Sequence, residues 1–400
     1  MNSNETARSL FNNIINFKNS KRTLNWEFGY WAGAIENWYK EGLPKIKGLP
    51  DNLTVAEDVL GPALPAPPPP YGKPFLRDFD VSSFFGFDEG FGSVPYDYWI
   101  FPRFERNIIF EDERIIELYD HDGIRKKMLK DGTSMPFWIE YPVKNMSDWE
   151  KIKEERFNLN SISKRYTEDI NIFSEKAKKR TNPLAMLGGR VGFFGSIRFL
   201  LGEINLYFAY YDNPVLVRNI LSHLCDFWIA VSEELISKID FDAAVFWEDM
   251  SGKNGSLISP ATFREFMTPN YKRIIGFLKS KGFKNFIVDT DGDAKGLIPL
   301  FIEAGLNGMY PFEQQAGNDL IEIRKKYPEL IITGGFDKNT LFKDKNAIDR
   351  ELEKMRWLIS KGGYIPHADH LIPPNSTWKN FKYYRERLSE IIYSTEIKIY

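Results

Sequence analysis

From residue 184 onward the chain alternates short apolar runs with longer stretches at helical spacing. The runs fall at 184–187, 243–247, 286–288, 308–310, 330–333 and 363–365. Helical periodicity is read at about 196–211 and 214–238, then at about 260–281, 294–304, 318–327 and 345–360, and last at about 377–394. Strand then helix, repeated this often, predicts a parallel sheet with helices outside it. An open sheet and a closed barrel share that rhythm, but the late runs also end alike. Trp247-Glu248-Asp249, Asp289-Thr290-Asp291, Tyr310-Pro311-Phe312-Glu313, Gly334-Gly335-Phe336-Asp337 and His367-Ala368-Asp369-His370 each replace an apolar run with polar or glycine residues. Such ends converge on the active face of a barrel, so the expected fold class is α/β, a (β/α)8 TIM barrel.

The first half follows other patterns. Tyr30 or Trp31, Ile35 and Trp38 recur at helical spacing before a stop at Gly42 and Pro44. Trp26, Phe28 and Tyr30 precede that helix, which leaves them to wall a pocket. Residues 61–74 are too rich in proline for a helix or an interior strand and read as an extended surface loop. Residues 81–98 are dense in Phe and Gly, and Phe85 is expected to close over a ligand from a flexible loop. Short β-rich runs between 105 and 143, separated by His121-Asp122-Gly123 and Lys130-Asp131-Gly132-Thr133, predict an antiparallel meander with His121 as a turn residue. A polar helical stretch follows from 146 to 179, opening at the cap-like Ser147-Asp148-Trp149-Glu150. The expected organisation is therefore one barrel domain over 1–400, with an N-terminal extension and proline-rich loop within 1–98 and the meander at 105–143.

Composition narrows the classes. Hydrophobic residues make up 43% and charged residues 27%, enough for a large core, and a formal net charge of −2 gives no reason to expect a nucleic-acid partner. The single cysteine, Cys225, sits at helical spacing from Leu221 and Trp228 and reads as a core thiol; one thiol forms neither an internal disulfide nor a multi-thiolate metal site. No apolar run is read as approaching the roughly 20 residues of a membrane helix, and the start lacks a basic end leading into an apolar stretch. The expectation is a cytoplasmic protein with no membrane partner.

The chemistry concentrates around residues 284–293, where an apolar run ends in Asp289, Asp291 and Asp293. Asp293 stands just before a helical run and reads as its cap. Asp289 comes too early to cap. With Glu248, Glu313, Asp337, His367, Asp369 and His370, these residues make an acid-heavy rim. Packed carboxylates raise some pKa values, bind a cation or meet a cationic substrate. Asp337 reads as a cap. His370 lies on the loop past the last strand and is a candidate proton donor or ligand, whereas His223 reads as structural. The candidate catalytic residues are His370, Asp289 and Glu248. Trp26, Phe28, Tyr30, Phe85, Asp291, Glu313 and His367 are the candidates for holding substrate. If a divalent metal such as zinc is bound, Glu248, Asp289, Asp291 and His370 are its donor set.

Taken together, Trp26 to Trp31, Phe246-Trp-Glu-Asp-Met250 with Lys253-Asn-Gly255 and Ile258-Ser-Pro260, Val288-Asp-Thr-Asp-Gly-Asp293, Gly334-Gly-Phe-Asp337, and Gly362 to His370 with Pro373-Pro374 resemble the uroporphyrinogen decarboxylase superfamily. The resemblance implies a (β/α) barrel and either decarboxylation or methyl transfer linked to a corrinoid. The thiol-directed zinc methyltransferases of that superfamily carry His-x-Cys where this chain has Asp289-Thr290-Asp291, and a second Cys where it has His370. The decarboxylase carries a histidine similar in place to His370, but its Arg-Gln-Ala-Gly-Arg segment has no counterpart here. An acid-lined rim also suits a polycarboxylate porphyrinogen poorly. The resemblance therefore implies a methyltransferase-like barrel that takes a methyl group from a small methoxylated or methylated donor to a corrinoid carried by a partner protein. The alternatives are a decarboxylase and a non-catalytic ligand-binding barrel.

Overall fold

The computed structural model describes residues 5–49, 58–60, 79–92, 94–130 and 135–398. Its centre is a six-stranded parallel sheet, and each strand lies beside the one that precedes it in sequence: Ala185–Leu187, Ala243–Trp247, Phe286–Thr290, Gly308–Pro311, Ile331–Thr333 and Tyr364–Ile365. Sequential order with a helical crossover at each step is the topology of a barrel wall. The strands are buried almost throughout, as parallel strands covered by helices must be. Gly308 is glycine for a reason of space: a Cβ there would stand 2.9 Å from Ile287 and 3.1 Å from Ile331 on the flanking strands.

Two extended segments line the sheet's outer edges. At one, Thr23 Oγ1 donates to the Tyr364 carbonyl at 2.7 Å and Tyr30 bridges Ile372; at the other, Gly92 bridges Leu184. The segments meet where Asp88 N donates to the Asn25 carbonyl at 3.1 Å.

The expected helices are present, with instructive breaks. The stretch expected at 196–211 is two helices, Phe193–Leu201 and Glu203–Asp212, because Gly202 adopts φ 85° and a Cβ there would meet the Tyr141 ring at 2.6 Å. The stretch at 260–281 includes a π-helical turn at Phe263–Met267 before Thr268–Ser280. Helix Met146–Arg156 is capped by Asn145, whose side chain accepts from Asp148 N at 3.1 Å, two residues earlier than the expected cap at Ser147. The meander forms as a four-stranded antiparallel sheet of Asn107–Glu111, Ile115–Tyr119, Arg125–Leu129 and Phe137–Glu140. The proline-rich loop lies outside the described residues.

One expectation needs correction. Helix Pro214–Ile236, with 23 residues and a mean hydropathy of 1.3 over its most apolar window, is long and apolar enough to span a membrane by length and composition. Arg218, His223 and Asp226 interrupt its apolar run in the sequence, but they sit on one side while Leu221, Leu224, Cys225 and Trp228 face the core.

Candidate active site

The site grows from the carboxyl ends of three adjacent strands. Register places Trp247, Asp289 and Tyr310 in one row across Ala243–Trp247, Phe286–Thr290 and Gly308–Pro311. Past the row, Glu248 N donates to the Asp289 carbonyl at 2.9 Å and Met250 N to Thr290 Oγ1 at 3.1 Å, so the Glu248-Asp249 turn is pinned to the next strand. Asp249 sits there at φ 43°, a left-handed conformation that Asp tolerates better than most residues. The kink sends Glu248 and Asp249 in opposite directions.

Glu248 turns to the N-terminus of helix Phe193–Leu201. Its carboxylate accepts from Phe193 N at 2.7 Å, Phe194 N at 2.6 Å and Gly195 N at 2.8 Å, and from the Tyr271 hydroxyl. The helix comes this close because Gly192 and Gly195 lack side chains: a Cβ at Gly192 would lie 1.9 Å from the Trp247 carbonyl. Burial raises the Glu248 pKa against the pull of those donors. With its lone pairs filled and no exposure, Glu248 is a structural clamp, which corrects its expected place among the catalytic and metal-binding residues.

Asp249, by contrast, joins Asp289, Asp291 and His370. Arg198 Nη2 holds the Asp249 carboxylate at 2.6 Å. His370 Nε2 lies 3.4 Å from Asp291 Oδ2, with 27% and 33% of the two side chains still open to solvent. Burial works against charge on both, but their mutual attraction prevails, so Asp291 is held below the usual carboxylate range and His370 above the usual imidazole value. Asp289 has the opposite fate: burial, then the charges of Asp291 and Asp249, push its pKa well above the ordinary value. Glu313 frames the cluster, accepting from Gly292 N at 3.1 Å and lying 3.5 Å from Lys338 Nζ.

Phe28 is the aromatic that reaches this cluster. Its ring centroid lies 5.4 Å from that of His370, 5.5 Å from that of His367 and 6.4 Å from that of Tyr310. Glu27 fixes it: the buried Glu27 carboxylate accepts from Phe28 N at 2.8 Å and Ala368 N at 2.7 Å and pairs with Arg385 at 3.1 Å.

The other expected substrate contacts lie elsewhere. Trp26 packs on Phe11 and Phe91, and Tyr30 on Trp38 and Phe381, all inside the core. Phe85 belongs to a short helix, Phe79–Phe85, and packs on Phe87, Trp378 and Phe381, so that segment is a wall of the C-terminal helix rather than a lid over the cluster. His367 is buried, and burial drops its pKa to about 3. Its Nδ1 lies 2.7 Å from the Ala368 carbonyl, which makes that nitrogen the protonated one, and Nε2 accepts from Thr333 Oγ1 at 3.1 Å. It is a neutral spacer under Phe28. Asp369 accepts from Gln314 N at 2.8 Å and Lys338 N at 3.1 Å, and burial lifts its pKa to about 7.

The zinc donor set does not assemble. Glu248 is spent on the helix, and among the described residues no group of three or more His, Cys, Asp or Glu side chains is placed to hold a metal ion. Asp249, Arg198, Tyr310, Lys338 and Glu27 are the site residues that sequence reading passed over. The glycines of Gly192-Phe-Phe-Gly195 were a usable signal, since they mark a helix end pressed against the strand whose next residue is Glu248.

Comparisons with known proteins bear on the family and the fold. The family model described as uroporphyrinogen decarboxylase (URO-D) matches residues 123–391. The chain belongs to the uroporphyrinogen decarboxylase family. In this family member the matched residues hold the whole parallel sheet and the acid cluster, while Phe28 and Glu27 come from outside them. A search of the curated proteins returned no match. Among solved structures, the chain is similar to a methyltransferase from Methanosarcina mazei, with a TM-score of 0.56 and 11% identity over 97% of this chain and 99% of that one. A B12-independent methionine synthase from Shewanella sp. W3-18-1 also matches, with a TM-score of 0.38 and 11% identity over 83% of this chain and 94% of that one.

Proposed function

We propose that this chain is a methyltransferase that takes a methyl group from a small methylated or methoxylated molecule and delivers it to a corrinoid carried by a separate protein. The observation that carries this reading is the Asp291–His370 pair, set at the carboxyl ends of the strands beneath Phe28 and open to solvent. Asp291 keeps a proton on His370, which sits where it can pass that proton to the departing atom of a methyl donor. The departing atom takes the electron pair of its bond to methyl, and the proton neutralises it. The reduced corrinoid on the partner supplies the nucleophile. Phe28 and Tyr310 hold the donor and exclude water, and no metal step is needed from these residues. The fold likeness to a methyltransferase over nearly the whole chain favours transfer over decarboxylation, and so does the mismatch between an acid cluster and a polycarboxylate substrate. The same reading takes segments 23–30 and 88–92 as the missing wall of a (β/α)8 barrel, and the protein as cytoplasmic.

The test is a spectrophotometric assay with purified chain, a reduced corrinoid protein encoded beside it and a panel of methoxylated and methylated donors. The expected result is formation of the methylated corrinoid only when all three are present. Turnover of the donor without corrinoid, or one equivalent of tightly bound zinc by elemental analysis that is lost in His370→Ala, would overturn it.

A further inference from the structure

Helix Glu203–Asp212 is apolar on two opposite sides. Leu206 and Tyr210 face the core, as the inner stripe of a surface helix should. Ile204, Phe208 and Tyr211, spaced by four and then three residues, form a second apolar stripe on the outer side, where they are 69%, 63% and 75% exposed. A helix that is apolar all round belongs in an interior, so the outer stripe lacks a covering layer.

The stripe continues onto its neighbours. Val215, in the first turn of helix Pro214–Ile236, is exposed beyond one end, and strand Phe137–Glu140 of the meander leaves Phe137 and Ile139 open beside the other. Strand and helix meet at a concavity of about 650 Å³ lined by Trp138, Ile139, Tyr141, Lys144, Gly202 and Ile204. The six open residues Phe137, Ile139, Ile204, Phe208, Tyr211 and Val215 present roughly 700 Å² to solvent. That exceeds the roughly 300–600 Å² of the largest patch on a typical monomer and is close to the about 800 Å² that each partner gives to a stable interface.

Charge says what kind of partner fits. Lys144 is paired with Glu140, Glu203 with Arg198 at 3.7 Å and Arg218 with Glu265, which leaves Asp212 as the lone charge at the patch. A carrier that docks and leaves is steered by complementary charge, and this patch has almost none to offer. A permanent interface between copies is more apolar than other interfaces, and a two-fold axis lays the same patch on itself, which a nearly neutral surface tolerates.

We propose that strand Phe137–Glu140 and helix Glu203–Asp212 form the interface of a homodimer, each patch packed on its copy across a two-fold axis. The interface reaches the rim of the candidate site, because Arg198 lies between Glu203 and Asp249. It does not depend on which reaction the site performs.

Sedimentation velocity of the intact chain at micromolar concentration decides the matter. The expected result is one species of twice the chain mass, with Phe208→Asp weakening the association by about 100-fold or more and Ile204→Asp also weakening it. Both residues are open in the single chain, so both variants should keep the wild-type circular dichroism spectrum. Ile172→Asp, at an exposed apolar position on another helix, should remain dimeric. A monomeric wild-type chain, a dimer unchanged in both Phe208→Asp and Ile204→Asp, or a dimer that Ile172→Asp separates would each overturn the proposal.

Discussion

Glu248 and Asp289 stand at the ends of neighbouring strands and meet opposite surroundings. Glu248 accepts from three backbone N–H groups and a tyrosine hydroxyl and is fully enclosed. Asp289 is half-buried, accepts from no group among the described residues and faces two other carboxylates. Burial raises both pKa values, but one residue is stabilised by its contacts and the other is frustrated by them. A satisfied buried carboxylate holds a fold together.

The largest effect should come from breaking the satisfied side. Glu248→Ala strands the N-terminal N–H groups of helix Phe193–Leu201 and the Tyr271 hydroxyl in a dry interior, at a cost of about 3 kcal/mol or more. Denaturant melts should show that loss or an unfolded chain; a variant as stable as the wild type would refute the clamp. On the other side, His370→Ala should lower methyl transfer by about 100-fold or more while leaving the melting temperature nearly unchanged. Full activity would take His370 out of the mechanism, and unfolding would make it structural.

A smaller effect concerns stability and pH. The folded pKa of Asp289 is raised, so above the ordinary carboxyl value of about 4 the folded chain retains a proton that the unfolded chain has released. Stability contributed at this position is therefore lost as pH climbs through that window and does not return above it. Asp289→Asn should melt higher than the wild type at about pH 8, with the gain shrinking toward about pH 4. A gain that grows on acidification would reverse the sign and place a cation beside Asp289 that this structure lacks.

The parallel sheet was legible because burial on both faces leaves runs of pure apolar residues, such as Ala243 to Trp247, with polar ends that mark direction. Caps were partly legible. Asp337 caps the short helix Lys338–Phe342, accepting from Asn339 N at 3.0 Å, and Cys225 is buried as its spacing implied, but Asp293 accepts from Lys295 N at 3.0 Å in a turn and caps no helix, because the next helix starts only at Ile298 with Leu297 before it. What the sequence hid was direction within a turn. Glu248 and Asp249 are adjacent acids, and only the left-handed φ at Asp249 decides which one reaches Asp291. It also hid long-range company: Trp26, Phe28 and Tyr30 alternate along one segment, yet Phe28 alone meets the histidines because Glu27 ties that segment to Ala368 and Arg385. Phe85 misled for the same reason, since its partners Trp378 and Phe381 lie almost 300 positions away.

The contrast between the two carboxylate environments can be read directly at His370. The chain has four histidines, so their ring signals can be assigned in an NMR titration of the wild type, Asp291→Asn and Glu248→Gln. The account predicts that His370 titrates above the ordinary imidazole value of about 6.5 in the wild type, falls in Asp291→Asn and stays where it was in Glu248→Gln. A His370 that titrates at or below the ordinary value, or that follows Glu248 rather than Asp291, would contradict it.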